Sequence, residues 1–359
     1  MRFRHDIQGL RALAVLLVVA HHYFPETLTG GYLGVDVFFV ISGYIITQVL
    51  IENHQTSLKE FLMNFYARRV RRILPLAILV VSSSTLITYL LLGSVTGGDT
   101  ARDGIFASLF IANIHFSSMA VDYFSSELPR SILQHYWSLA IEEQFYLVWP
   151  AIFFLTNKKG KCLVVVFVAS SVSFTYALVQ TLGGSITAYL STGARLWELG
   201  LGAALAISPF QRNHIWVSNL SVTFLLILAF TFTPSSNFPG FPALVVNLLT
   251  VLTLVTGGTN RILSSRVLTW IGDRSYTIYL LHWPIIQIVN LYKSNDPSFT
   301  EKLILLGLLF VLSALIFRHF ENPIRYSAAL RSNSTRTVGT GLGLILTSVA
   351  LLSAARGIL

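Results

Sequence analysis

Arg11 and His22 stand eleven residues apart inside one apolar run. Eleven steps of about 100° make three turns plus about 20°, so on a helix both side chains share a face, about 16 Å apart along the axis. Asp36 opens the next apolar run after a short connection, which would bring it to the depth of His22 in an antiparallel pair. A carboxylate beside an imidazole fixes its tautomer and raises its basicity, the arrangement of a general base. Glu142 and Glu143 fall about 8 Å into a later run. Arg195 and Glu198 lie one turn apart at the start of another, and His282 lies in the upper half of a fifth. Ionisable groups are costly inside a bilayer and default to function. Blander readings stand beside these. Arg195 with Glu198 reads equally well as a helix-bracing ion pair, His282 beside Trp283 and Pro284 as part of an aromatic belt, and Glu143 as a partner for a neighbouring group. One of the adjacent His21 and His22 would simply face a headgroup or loop.

A second basic feature is Arg68-Arg69-Val70-Arg71-Arg72, followed by Pro75, which suits the first turn of a helix. Orientation charge and anionic-lipid contact explain such a cluster. Arg69 and Arg72 are also spaced to share a helical face, and forked guanidinium groups grip phosphate bidentately.

The elements that must carry these groups are membrane spans. Of 359 residues, 53% are hydrophobic and only 11% charged, with a mean hydropathy of +0.66. A soluble domain is about 25% charged, and a disordered chain would not be this apolar. The single cysteine, Cys162, excludes an internal disulfide framework and a thiolate metal cluster, and no metal is expected. Apolar runs lie near 9–23, 33–51, 75–93, 137–155, 162–182, 193–208, 217–233, 241–257, 271–291, 302–318 and 338–355. A shorter run at 104–116 holds Asn113 and His115 and is expected not to cross. With the N-terminus inside, seventeen of the 25 Lys and Arg residues fall in cytoplasmic segments and three outside, a strong positive-inside bias. The expected fold is therefore all-α: a polytopic bundle of about 11 transmembrane helices, N-terminus cytoplasmic and C-terminus extracytoplasmic. An external loop would run from about 94 to 136. The net charge of +9 is orientation charge and implies no nucleic-acid partner.

Arginines at a cytoplasmic mouth and a polar face leading to a histidine near the opposite side describe a channel. Coenzyme A has a matching shape: a phosphorylated head and a narrow arm ending in a thioester. Acyl-CoA is supplied from inside, so an enzyme acting on an external acceptor must pass the acyl group across the bilayer.

Seven stretches in order then resemble the acyltransferase family 3 membrane proteins, the group of bacterial O-antigen and peptidoglycan O-acetyltransferases. They are DIQGLRALAVLLVVAHH (6–22), GVDVFFVISGY (34–44), FYARRVRRILP (65–75), YWSLAIEEQFYLVWP (136–150), RLWELGLGA (195–203), YTIYLLHWP (276–284) and ENPIR (321–325). The resemblance implies an acetyl-CoA-dependent O-acyltransferase of the bacterial cytoplasmic membrane, moving an acetyl group to a hydroxyl of an extracytoplasmic carbohydrate such as O-antigen lipopolysaccharide. It implies Arg11 and His22 as required residues, with His22 as catalyst, and Arg69 and Arg72 as required on the cytoplasmic side. Read with the spacing above, Asp36 or Glu142 would orient His22, and Arg69 and Arg72, joined by Arg11, would hold the cofactor phosphates. Arg195, Glu198, His282 and Tyr146 are assigned to the substrate, with Tyr146, one turn below Glu142, offering a tyrosyl relay. It also implies a domain at 1–325, a cytoplasmic linker at 326–337 and an additional span at 338–359. In some family members that span leads to an extracytoplasmic SGNH-type domain; none is seen in this chain, which either stops short of one or has lost it. The competing function is a transporter or flippase for a lipid-linked sugar, against which stands the lack of a recognisable inverted repeat.

Overall fold

The computed structural model describes residues 4–53, 57–119, 130–156, 159–208, 212, 214–233 and 238–357. They form helices with no strand among the described residues: α1 (His5–Tyr23), α2 (Gly34–Ile51), α3 (Leu58–Arg72), α4 (Leu74–Ser108), α5 (Ala112–Ser118), α6 (Tyr136–Thr156), α7 (Lys159–Leu182), α8 (Thr192–Ile207), α9 (Ile215–Thr231), α10 (Phe241–Thr256), α11 (Arg266–Asp273), α12 (Ser275–Lys293), α13 (Phe299–Ile316), α14 (Asn322–Arg325), α15 (Ala328–Arg331) and α16 (Ser334–Gly357). A π-helical turn, Phe317–Glu321, joins α13 to α14.

Six stretches of described helix are long and apolar enough to cross a membrane, in or across α2, α3–α4, α6, α7, α13–α14 and α16. Large apolar side chains such as Phe167, Val172 and Leu182 on α7 and Leu346 and Leu351 on α16 point outward, as lipid-facing helices require. The chain is an all-α, multi-pass membrane protein. Ten of the eleven apolar runs fall on one helix each, and the 271–291 run begins at the end of α11, breaks at Arg274 and continues along α12. However, α8 and α10 have only 16 residues, about 24 Å of rise against a hydrocarbon core of about 30 Å.

The chain divides into two compact units that do not follow chain order. One comprises Met1–His54, Ser117–Ser125 and Ile141–Ser275; the other Gln55–Phe116, Ser126–Ala140 and Tyr276–Leu359. In the first, α2 packs along α8 and α8 along α7. Gly43 of α2 sits on the Leu199 carbonyl and Gly202 of α8 on the Val40 carbonyl, each closer than any side chain would allow. Small residues let backbones meet in this way.

In the second unit α4 is not one rod. Gly93 has φ 84° and ψ 178°, a left-handed conformation that glycine adopts without strain. Beyond it Gly97 lies against the Tyr89 ring and Gly104 against the Val81 side chain. Val81 and Gly104 would be about 35 Å apart on a straight helix, so the arm after Gly93 returns along the arm before it. The 104–116 run is not a single helix either: it breaks at Phe110, with φ 55°, before α5. The Asp103 carboxylate holds the returning arm, accepting from Ser131 Oγ at 2.6 Å and contacting His115 Nε2 at 2.9 Å.

The segment expected as a linker carries the single-turn helix α15, and α16 begins at Ser334. Rather than standing apart, α16 packs on α4 and α3. Ser348 Oγ bonds Ser108 Oγ at 3.0 Å, and Tyr89 donates to the Ala355 carbonyl at 2.9 Å.

Candidate functional site

The first unit carries three polar groups of interest. On α1, Arg11 and His22 are both half-buried, and Arg11 donates to Gln8 Oε1 at 3.1 Å. Of the two adjacent histidines, His21 is anchored: it is buried, and its Nδ1 donates to the Leu28 carbonyl at 2.9 Å. That makes His21 a loop fastener and leaves His22 as the less enclosed imidazole, its ring 5.4 Å from that of His21.

The second group is an ion triad. Arg195 Nη1 lies 3.1 Å from Asp36 Oδ1 and 2.9 Å from Glu198 Oε1, and all three side chains are fully buried. The rings of Tyr189, Phe39 and Phe238 surround the guanidinium, with centroids 5.1, 5.3 and 5.5 Å away, a geometry in which aromatic faces stabilise a cation. Asp36, expected to orient His22, is engaged by Arg195. The triad ties α2 to α8 at the close seam made by Gly43 and Gly202.

The third group surrounds Glu142. Its Oε2 accepts from Tyr146 at 2.8 Å and from Ser42 at 3.0 Å. Tyr146 therefore stands in line to pass or take a proton. Thr192 donates to Gln144 Oε1 at 2.6 Å, so α6 presents polar groups to both α2 and α8.

In the second unit Arg69 and Arg72 do lie on a helix, α3, which ends at Arg72. Both are half-buried, and the Arg69 guanidinium lies over Phe65 at 5.8 Å. The helical condition for a shared phosphate-facing flank is met. His282 is fully buried and belongs to no exposed belt. Its Nδ1 donates to the Tyr279 carbonyl at 2.5 Å, and its ring lies 5.7 Å from that of His135. His135, also buried, contacts the Leu280 carbonyl through Nε2 at 3.1 Å. A carbonyl only accepts, so Nε2 carries the hydrogen, and in the neutral ring Nδ1, which has no hydrogen-bond partner among the described residues, is the bare nitrogen. Tyr279 donates to the His135 carbonyl at 3.1 Å and meets Ser138 Oγ at 2.5 Å. Sequence reasoning passed over His135 and Asp103, noted His115 only as a polar residue of a short run, and quoted Tyr279 only within a motif. The only local signal for His135 was its place just ahead of the Tyr136-Trp137 motif.

These features define a class: a multi-pass helical membrane protein with fully buried charged and imidazole clusters inside its helix packing. The acyltransferase domain family matches residues 4–318, and the chain belongs to that family. It is 34% identical over 350 residues to peptidoglycan O-acetyltransferase OatA of Listeria monocytogenes, covering 89% of this chain and 55% of that protein. It is 31% identical over 365 residues to the putative peptidoglycan O-acetyltransferase YrhL of Bacillus subtilis, covering 93% and 57%. O-acetyltransferase OatA of Staphylococcus aureus is 33% identical over 350 residues, covering 90% and 57%. The chain thus spans a little over half the length of these curated relatives. No solved structure matches it.

Proposed function

We propose that this chain is the membrane part of an O-acetyltransferase that takes acetyl from acetyl-CoA inside the cell and delivers it to a hydroxyl of a cell-envelope carbohydrate outside. The family match over residues 4–318 carries this reading, and the names of the relatives support it. Two are named for peptidoglycan, so we favour peptidoglycan as acceptor over O-antigen lipopolysaccharide. A bacterial cytoplasmic membrane, with the N-terminus inside, accords with the positive-inside bias. The extra length of the relatives leaves room for a second domain of the SGNH type, to which this part would hand the acetyl group.

In this reading Arg69 and Arg72 hold the CoA phosphates. His22 takes the proton as the acceptor oxygen attacks the thioester carbonyl. The carbon–sulfur bond breaks, and CoA leaves as a thiolate that is then protonated. An acyl-enzyme on His22 is the two-step version of the same chemistry. Tyr146 and Glu142 form a hydrogen-bonded pair suited to relaying a proton. Arg195 and Glu198 act on the acceptor only through the helix seam they brace.

His22→Ala should abolish acetyl transfer while the protein still inserts and unfolds like wild type. Transfer retained by that variant would remove His22 from the mechanism. Arg69→Ala should weaken acetyl-CoA binding, and unchanged binding would move the donor site elsewhere. A flippase for a lipid-linked sugar would neither bind nor consume acetyl-CoA.

A further inference from the structure

Arg69 and Arg72 account for one flank of α3. Arg68 and Arg71, also a turn apart, lie on another, centred about 100° away around the helix. That second flank meets α15. Arg71 Nη1 donates to the Leu330 carbonyl at 2.9 Å. The same carbonyl accepts from Thr337 Oγ1 at 2.5 Å, and Ser334 Oγ donates to Asn64 Oδ1 at 2.7 Å. The Arg71–Leu330 and Ser334–Asn64 bonds clamp the α15–α16 junction onto α3, the Thr337–Leu330 bond fastens that junction to itself, and Arg331, exposed at the end of α15, is thereby set next to Arg71. Among the described residues, the charges felt at Arg71 are those of Arg331 and Arg68, both positive. Its Nε is shielded from solvent with no acceptor among the described residues.

Specific hydrogen bonds that gather guanidinium groups side by side make a place that favours an anion. Positive-inside orientation explains why arginines are present in these segments but requires no such gathering. Guanidinium forks match the oxygens of phosphate, pairing two at a time.

We propose that Arg68, Arg71 and Arg331 form a phosphate-binding site on the α3–α15 flank, separate from Arg69 and Arg72. Two phosphates could reach it: the 3′-phosphate of acetyl-CoA, or the headgroup phosphate of an anionic lipid in the same leaflet. The first source rests on the acetyl-CoA reading above; the second does not.

The test uses the full chain in nanodiscs of phosphatidylcholine, with and without phosphatidylglycerol. Arg71 is retained because it bonds Leu330. The variants are Arg331→Gln and the double variant Arg68→Gln with Arg331→Gln. If the donor's 3′-phosphate is the ligand, wild type should bind acetyl-CoA about tenfold or more tightly than acetyl-dephospho-CoA, the effect of one lost charge-assisted contact. That ratio should fall toward one in the double variant, in both lipid mixtures. If a lipid is the ligand, phosphatidylglycerol should raise the wild-type Tm and fail to do so in the variant, with donor binding unaffected. A lipid effect that disappears in the variant, in a protein that binds neither donor, would uphold this site and defeat the acetyl-CoA reading. Variants that keep both the wild-type donor ratio and the wild-type lipid shift would overturn the site. Arg331→Gln alone, altering an exposed side chain, keeps the test open should the double variant fold poorly.

Discussion

Replacing Arg195 with Met separates a brace from a substrate group. Arg195 Nη1 faces carboxylates at 3.1 and 2.9 Å, and all three groups are fully buried. At an effective dielectric constant of about 20, each such contact is worth roughly 5 kcal/mol of gross attraction. Most of that offsets the desolvation of the charges, so the net value of the triad is far smaller. Methionine nevertheless leaves two buried carboxylates facing one another with no cation. Removing one partner of a buried pair typically costs about 3–5 kcal/mol, and losing the cation from its ring of Tyr189, Phe39 and Phe238 adds about 1–2 kcal/mol. Against a usual total of about 5–15 kcal/mol, Arg195→Met should lower the Tm in detergent sharply and raise protease sensitivity. Adding Asp36→Asn and Glu198→Gln to that background removes both stranded charges and should restore most of the loss. An Arg195→Met protein with wild-type Tm but no acetyl transfer would refute the brace and make Arg195 a substrate ligand.

Tyr146→Phe removes the hydrogen bond that Tyr146 donates to Glu142 Oε2, leaving the one from Ser42. It should cost about 1 kcal/mol in stability and, if the pair relays a proton, lower kcat at least tenfold with KM little changed; unaltered kcat would dismiss the relay. Gly93→Ala meets nothing within 4 Å, so its cost is the backbone strain of φ 84°, about 1 kcal/mol; a Tm equal to wild type would mean the fold-back at Gly93 is held without it. Gly202→Val drives a branched side chain into the Val40 carbonyl and should destabilise by about 2 kcal/mol or more, read as lost yield and lower Tm; full tolerance would show that α2 and α8 are free to separate.

Hydropathy periods exposed most of the helices because lipid tolerates only backbone that bonds to itself, and that demand is written residue by residue. The eleven apolar runs land on helices for this reason. The short reach of α8 and α10 was less legible, since their runs blend into flanking turns. Arg195 and Glu198 could be seen as a pair, because i and i+3 are local. Their union with Asp36 could not, since it depends on how α2 lies along α8. The pairing of His282 with His135 was hidden likewise: about 150 residues separate them, and His135 stands just before a helix rather than within an apolar run.

Composition and spacing alone determined that this is a multi-pass helical membrane protein and that Arg11 and His22 share a helical face; the resemblance of its ordered motifs placed it among the acyltransferases. Those properties follow from one chain in one solvent. Which carboxylate neutralises Arg195, which imidazole faces His282, and where α4 turns back at Gly93 were decided only by tertiary packing. Small residues there bring backbones together, and buried charges accept whichever partner the packing supplies.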